Sequence, residues 1–310
     1  MNRIDLNRCY NKACYGNCNK DDRKQCAEND LCRVVKSNLD SLSVRCVGDW
    51  AEEKIYLLYQ YFGIFAKGMK DKWKEINYIE ICSGPGRCIN RGTRQEIDGT
   101  AMSILKHDAF PNIHRALFFD YNKEVVDVLN TRIKGLGLGN AYAYEANYKD
   151  PTHLCNILRA HCSKDKSLNL ILIDPTDCGV PFELIRCIKD TLNNVDMIIN
   201  VAIGTDFNRN VPMAFADKNR AQKYISFLGS NTFFCSKENI SLCRNKQYEK
   251  LREHFRKAYQ DSMRTLGYSV FRVEPVKNYY DILFAACHER AADFWDKAQK
   301  ISFDGQLELF

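Results

Sequence analysis

The sequence predicts an α/β protein built on a mostly parallel, seven-stranded sheet that ends in an antiparallel hairpin, with a cysteine-rich appendage at its N-terminus. Three observations carry this. From residue 77 onward, apolar runs alternate with amphipathic stretches, the pattern of βαβ units feeding a parallel sheet. Two later apolar runs, 268–274 and 279–286, are joined only by Pro275-Val-Lys-Asn278. So short a link permits only an antiparallel pair, because parallel neighbours need a long crossover. Residues 1–46, by contrast, are polar, hold six cysteines and lack a periodic apolar face.

In chain order, residues 48–72 read as an amphipathic helix. Trp50, Ile55, Leu58, Tyr61, Phe62 and Phe65 recur at helical spacing, with Glu52, Glu53, Lys54 and Lys70 between them. Strand-like runs follow at 77–82, 115–119, 141–145, 169–174 and 195–201, separated by helical patterns such as 122–135, 151–161 and 181–191. A long helical stretch, 212–227 and 245–266, precedes the hairpin. Five parallel strands and then an antiparallel pair is the order of elements in Rossmann-like methyltransferases. The expected organisation is a cysteine-rich segment at 1–46, the Rossmann-like domain at 47–302 and a tail at 303–310.

The 310 residues are 45% hydrophobic and 27% charged, ordinary for a globular protein. The longest apolar runs, Leu168–Ile173 and Met197–Ile203, are far shorter than the roughly 20 residues of a membrane helix. The opening Met-Asn-Arg-Ile-Asp-Leu-Asn-Arg has no apolar signal region. The expectation is a cytoplasmic protein with no membrane span. A net charge of +6 permits nucleic-acid binding without requiring it.

Tyr78-Ile-Glu-Ile-Cys82 reads as the first strand of the sheet, and Ser83-Gly-Pro-Gly86 turns the chain at its carboxyl end. Such sheets bind nucleotides there, and glycine lets backbone approach a ligand closely. A plain tight turn is the alternative. Glu80 precedes the turn, Asp120 closes the next strand where a carboxylate can meet a ribose diol, and Asn147 follows the third strand where an adenine contact is expected. These residues, with Ser83, Gly84 and Gly86, are the expected site for S-adenosylmethionine (SAM). Residues 87–98, with Arg87, Arg91, Arg94 and Asp98, read as a polar loop laid over that site before a helix from Gly99.

The fourth strand ends Asp174-Pro175-Thr176-Asp177. This resembles the Asp-Pro-Pro-Tyr motif of amino-methyltransferases, in which the carboxylate orients an exocyclic amine and the aromatic ring stacks on a flipped base. The Asp-Pro half is present and the stacking half is not. Asp174, Pro175 and Asp177 are the catalytic candidates, Asp174 as a positioning group or general base; a helix-capping aspartate is the alternative.

The chain resembles the three-Cys-motif partner proteins, which accompany a radical-SAM-like protein bearing a three-cysteine motif. The matching pieces are Val47-Gly-Asp-Trp-Ala-Glu-Glu-Lys54, Tyr78 through Arg87, Gly99-Thr-Ala, Ile173-Asp-Pro175, Ile199-Asn200 with Arg209-Asn210, and Tyr280 through Trp295, in family order over residues 47–310. The resemblance implies a methyltransferase-like fold and a radical-SAM-like partner. It implies no reaction, because the family is named for a neighbour. That family's loop more often reads Asp-Gly-Phe-Ala-Gly-Pro-Gly, so Cys82 and Ser83 depart from it, as do Thr176 and Asp177.

Cys9, Cys14, Cys18, Cys26 and Cys32 are candidate metal ligands in a segment too polar to fold on its own. Four of them, with Cys46 as a further choice, suit tetrahedral zinc. A [4Fe–4S] cluster also takes four thiolates, and a reduced tail is the alternative. The closing Gln306-Leu-Glu-Leu-Phe310 resembles the peptide by which bacterial DNA-processing proteins dock on the sliding clamp. Two functions are expected from these features: a SAM-dependent transferase acting on nucleic acid (DNA modification or repair), or a non-catalytic Rossmann-like partner that presents nucleic acid or protein to a radical-SAM enzyme. Arg87, Arg209 and Tyr280 are candidate polynucleotide contacts.

Overall fold

The computed structural model describes residues 6–16, 18–277 and 279–301. The candidate clamp peptide, Gln306–Phe310, lies outside them. Eleven strands are present among the described residues: β1 Cys9–Tyr10, β2 Arg45–Val47, β3 Glu75–Ile81, β4 Arg87–Asn90, β5 Gln95–Asp98, β6 Arg115–Asp120, β7 Ala141–Glu145, β8 Ser167–Ile173, β9 Asn194–Val201, β10 Val270–Val276 and β11 Tyr280–Ala286. Seven make the large sheet, in the order β10-β11-β9-β8-β3-β6-β7. Within it β3, β6 and β7 run parallel, as do β8 and β9, while β11 is antiparallel to both β9 and β10. This is a Rossmann-like α/β fold. No described helix is long and apolar enough to cross a membrane.

The chain divides into two compact units, the described residues of Met1–Ala146 with Asp293–Phe310, and Asn147–Ala292. In the first, β3 and β6 are buried along nearly their whole length; β6 is apolar from Ala116 to Phe119, while β3 also buries Asn77 and Glu80. The helix Trp50–Met69 buries Ile55, Leu58, Tyr61, Phe62 and Phe65. Trp295, from the last helix, packs on Tyr61 with ring centroids 5.4 Å apart. Asn122 caps the helix Lys123–Gly135 by accepting from Glu124 N–H.

Residues 87–98 are not a polar loop. They form the hairpin β4–β5, the middle of a second sheet ordered β1-β5-β4-β2. The N-terminal segment supplies both edges of this sheet, so it builds its core jointly with the hairpin: Cys14, Cys32, Val35 and Val44 pack around Ile89. The hairpin's charges are buried rather than solvated. Arg87, 2% exposed, pairs with Glu96 at 2.6 Å and also with Asp98. Glu96 further accepts from Ser37 Oγ and from Asn38 N–H. Bonds from Ser37, Asn38 and Arg87 outweigh the burial that would raise the Glu96 pKa and hold it below the usual carboxylate range. A buried charge persists only when paired and hydrogen-bonded, and Arg87 is both.

In the second unit the long helical stretch between β9 and β10 is five helices, Asn208–Ala216, Lys218–Leu228, Thr232–Cys235, Lys237–Arg244 and Tyr248–Arg264. Asp217 caps the start of Lys218–Leu228 and Gly229, at φ +67°, ends the same helix, while Ser236 caps Lys237–Arg244. One crossover needs only one helix, so this stretch is an elaboration of the fold. Pro275, expected in the hairpin turn, lies within β10, paired with Asp281.

Candidate functional site

The chain leaves β3 through three left-handed residues: Cys82 at φ +66°, Gly84 at φ +64° and Gly86 at φ +90°. A non-glycine residue in this region is uncommon, so Cys82 marks a turn that its surroundings impose. The N–H groups of Cys82 and Ser83 donate to Phe119 O at 2.9 and 3.1 Å. Gly84 N–H donates to Asp120 Oδ2 at 3.1 Å, and Asn122 N–H to Asp120 Oδ1 at 3.1 Å. The carboxylate closing β6 therefore fixes the turn after β3. Burial raises the Asp120 pKa, and the two backbone donors and the nearby Arg45 offset that only in part.

Behind the turn, Pro85 O accepts from Arg132, whose guanidinium also pairs with Asp40 at 2.8 Å. A Cβ on Gly86 would stand 2.8 Å from Met102 Cγ and 3.0 Å from Leu129 Cδ1. A Cβ on Gly84 would meet nothing nearer than the Arg45 side chain, at 3.6 Å. Gly86 thus packs against the protein, while Gly84 faces an open approach flanked by a guanidinium. Ser83 Oγ is buried and has no hydrogen-bond partner among the described residues. The buried Glu80 accepts from Tyr78 Oη–H at 2.8 Å. Five of the six predicted cofactor residues thus lie in the first unit, on one strand, its turn and the end of the neighbouring strand. Asn147 opens the second unit, where its Oδ1 accepts from Lys149 N–H at 2.9 Å ahead of the helix Pro151–His161.

In the second unit, Asp174 and Pro175 leave β8 beside Asn200 of β9. Asn200 Nδ2 donates to Asp174 Oδ1 at 2.9 Å and to Pro175 O at 3.2 Å, while its own Oδ1 is buried with no hydrogen-bond partner among the described residues. Asp177 turns elsewhere, to Lys223 Nζ at 2.8 Å, and Lys223 also binds Asp206 at 2.6 Å. Asp206 lies in a π-helical turn, Ile203–Phe207, and accepts from Cys178 N–H, Tyr224 Oη–H and Asn210 Nδ2. Burial would lower the Lys223 pKa, but the two carboxylates outweigh it and raise it, so this amine stays a cation. Sequence reasoning missed Asp206 and Lys223, since nothing in the spacing links them. Of the proposed polynucleotide contacts, Arg87 and Tyr280 are buried and unable to serve, and Arg209 is exposed. An open cavity of about 560 Å³ between the helix Phe182–Thr191 and the last three of the five helices that precede β10, bordered by Asn239, His254 and Lys257, contains none of the predicted site residues.

Among the described residues, Cys26, Cys32 and Cys46 bring their Sγ atoms within 4.8 Å of one another. A hydrogen bond from Cys46 pulls the Cys32 thiol down to about 6, and the same bond pushes Cys46 up. Cys18 is buried within electrostatic reach of Cys32 and Cys26. Cys9 sits apart, on β1 beside Glu96 and Arg87.

No family model matches the sequence, and no curated protein does. The fold is similar to several solved structures. A SAM-dependent methyltransferase from Clostridium acetobutylicum aligns at 12% identity over 47% of this chain, with a TM-score of 0.30, and the chain spans 50% of that protein. A Legionella pneumophila protein aligns at 11% identity over 82% of this chain and 92% of its own, with a TM-score of 0.45. Human methyltransferase-like protein 13, in complex with SAH, aligns at 9% identity over 80% of this chain and 91% of its own, with a TM-score of 0.40. These likenesses are distant.

Proposed function

We propose that this chain is a SAM-dependent, methyltransferase-like protein acting on nucleic acid, with the nucleoside held by the Glu80–Gly86 turn. One observation carries this: a buried, unpartnered Ser83 hydroxyl inside a turn with three left-handed residues strapped to Asp120. A buried hydroxyl without a partner costs about 1–3 kcal/mol, which a bound polar ligand would relieve. Asp120 keeps capacity for a ribose diol, because a carboxylate has about four acceptor sites and two backbone donors occupy half of them. SAM, when bound, supplies a methyl group on a cationic sulfur. The chain's own part is to hold the nucleoside at the Glu80–Gly86 turn of the first unit; within the second unit, Asp174 and Asn200 are the candidates to orient an amine. Nucleic acid is supported by the helices over 208–250, which carry eight basic side chains against three acidic ones.

Calorimetry with SAM and S-adenosylhomocysteine tests the reading. Binding that is lost in Asp120→Asn and weakened in Ser83→Ala is expected; undetectable binding of both ligands at millimolar concentration overturns it.

A second reading, a non-catalytic partner of a radical-SAM-like protein, is favoured by one observation. Asp177 stands where the amino-methyltransferase motif has its aromatic ring, and it is ion-paired to Lys223 instead of stacking on a base. It predicts no methyl transfer to DNA or RNA by the chain alone, whether or not SAM binds. Transfer of label from SAM to either polymer by the chain alone excludes it.

A further inference from the structure

The described thiols of the N-terminal segment are more closely grouped than packing requires. Cys26, Cys32 and Cys46 come from three separated stretches of chain, yet their sulfurs lie within 4.8 Å of one another. A tetrahedral zinc site with Zn–S of about 2.3 Å places its sulfurs about 3.8 Å apart, so a small inward movement closes the set. A disulfide would satisfy two of the three and strand the third, and no disulfide is present among the described residues.

The backbone is arranged for thiolates as well. Arg33 N–H donates to Cys26 Sγ at 3.4 Å, and the amides of Val34 and Val35 are directed at Cys32 Sγ. Donors of this kind stabilise ligated sulfur. For the fourth ligand Cys18 is the best placed: it is 7% exposed, follows no strand pairing and lies within electrostatic reach of Cys46, Cys32 and Cys26. Cys14 packs with Cys32, Val35 and Val44, and Cys9 is committed to β1.

We propose that Cys18, Cys26, Cys32 and Cys46 bind one zinc ion as four thiolates. A single ion suits the spacing better than an iron–sulfur cluster. In a cubane each cysteine holds a different iron, which spreads the sulfurs beyond the edge of a single-ion tetrahedron. The ion is structural, because four protein ligands leave no open position for a substrate. Its ligands flank Arg45, whose side chain stands beside Gly84, and Asp30, the ion-pair partner of Arg45. Asp30 lies between Cys26 and Cys32, Arg45 precedes Cys46, and Arg45 Nη2 pairs with Asp30 Oδ1 at 2.9 Å.

The test is elemental analysis of the full chain, purified without chelator in air and under anaerobic conditions. One zinc per chain is expected, retained in Cys9→Ser and reduced more than tenfold in Cys32→Ser and Cys46→Ser. Since a serine variant can fail to fold, cobalt loading of the wild-type chain is the second arm, and intense near-ultraviolet thiolate-to-cobalt bands are expected. Metal-free protein from both preparations overturns the proposal. So does iron near four equivalents, a cobalt spectrum without thiolate bands, or a Cys9→Ser variant as depleted as Cys46→Ser.

Discussion

Arg45 and Asp30 form an ion pair at 2.9 Å, and the Arg45 guanidinium stands closest to the open face of Gly84. It also lowers the Asp120 pKa against the larger effect of burial. One side chain of the cysteine-rich segment therefore reaches both the turn after β3 and the carboxylate that fixes it. Arg45→Gln is expected to weaken S-adenosylhomocysteine binding about tenfold, equivalent to about 1.4 kcal/mol, in calorimetry. Unchanged affinity would place Arg45 outside the ligand's reach.

The two glycines of the turn should respond differently to a methyl group. Gly86→Ala meets Met102 at 2.8 Å with φ at +90°, so steric overlap adds to backbone strain. A loss of roughly 2–4 kcal/mol is expected in urea unfolding. Gly84→Ala has room and bears only the left-handed strain, about 1–2 kcal/mol.

Lys223 joins Asp177 to Asp206, but the two contacts differ in value. Asp177 is 43% exposed and Asp206 6% exposed. Asp177→Asn is expected to cost less than about 1 kcal/mol, as solvent-screened pairs do. Lys223→Met leaves a buried carboxylate without its cation and is expected to cost about 2–4 kcal/mol. Equal losses in chemical unfolding would contradict the distinction.

Asp196, buried in β9, has its pKa raised to about 7 by burial, with only Lys189 in opposition. The folded state thus holds a proton that the unfolded carboxyl, near 3.9, releases. Stability from this group is greatest at low pH and falls as pH rises from about 4 to 7. The urea midpoint of the wild type is expected to decline across that window, and Asp196→Asn to remove this contribution. A decline of the same size in the variant would locate the titration elsewhere.

The large sheet was legible because its central strands are buried and therefore apolar. The expected 77–82 and 169–174 became Glu75–Ile81 and Ser167–Ile173. The helix ends at Asp217, Gly229 and Ser236 carry capping chemistry that divides the long helical stretch, a punctuation the apolar pattern alone does not show. The hairpin at 87–98 was hidden by Arg87, Glu96 and Asp98, three charges that belong on a surface unless they neutralise one another inside. Its apolar residues, Cys88, Ile89 and Ile97, are too few and too scattered to show a strand period. Around the site, Ser83, Gly84 and Asp120 were marked by their place after strands. The Lys223–Asp206 pair joins a π-helical turn to a helix, and no periodicity reports such a contact.

The small sheet has a bearing on how the chain is made. Its edges, β1 and β2, emerge from the ribosome before its middle, β4 and β5. At about 5–20 residues per second, the cysteine-rich segment waits roughly 3–10 seconds for the hairpin that completes it. Through that interval its thiols meet the surrounding redox and metal pools without a folded shelter, so biosynthesis is the stage at which this region is most open to error.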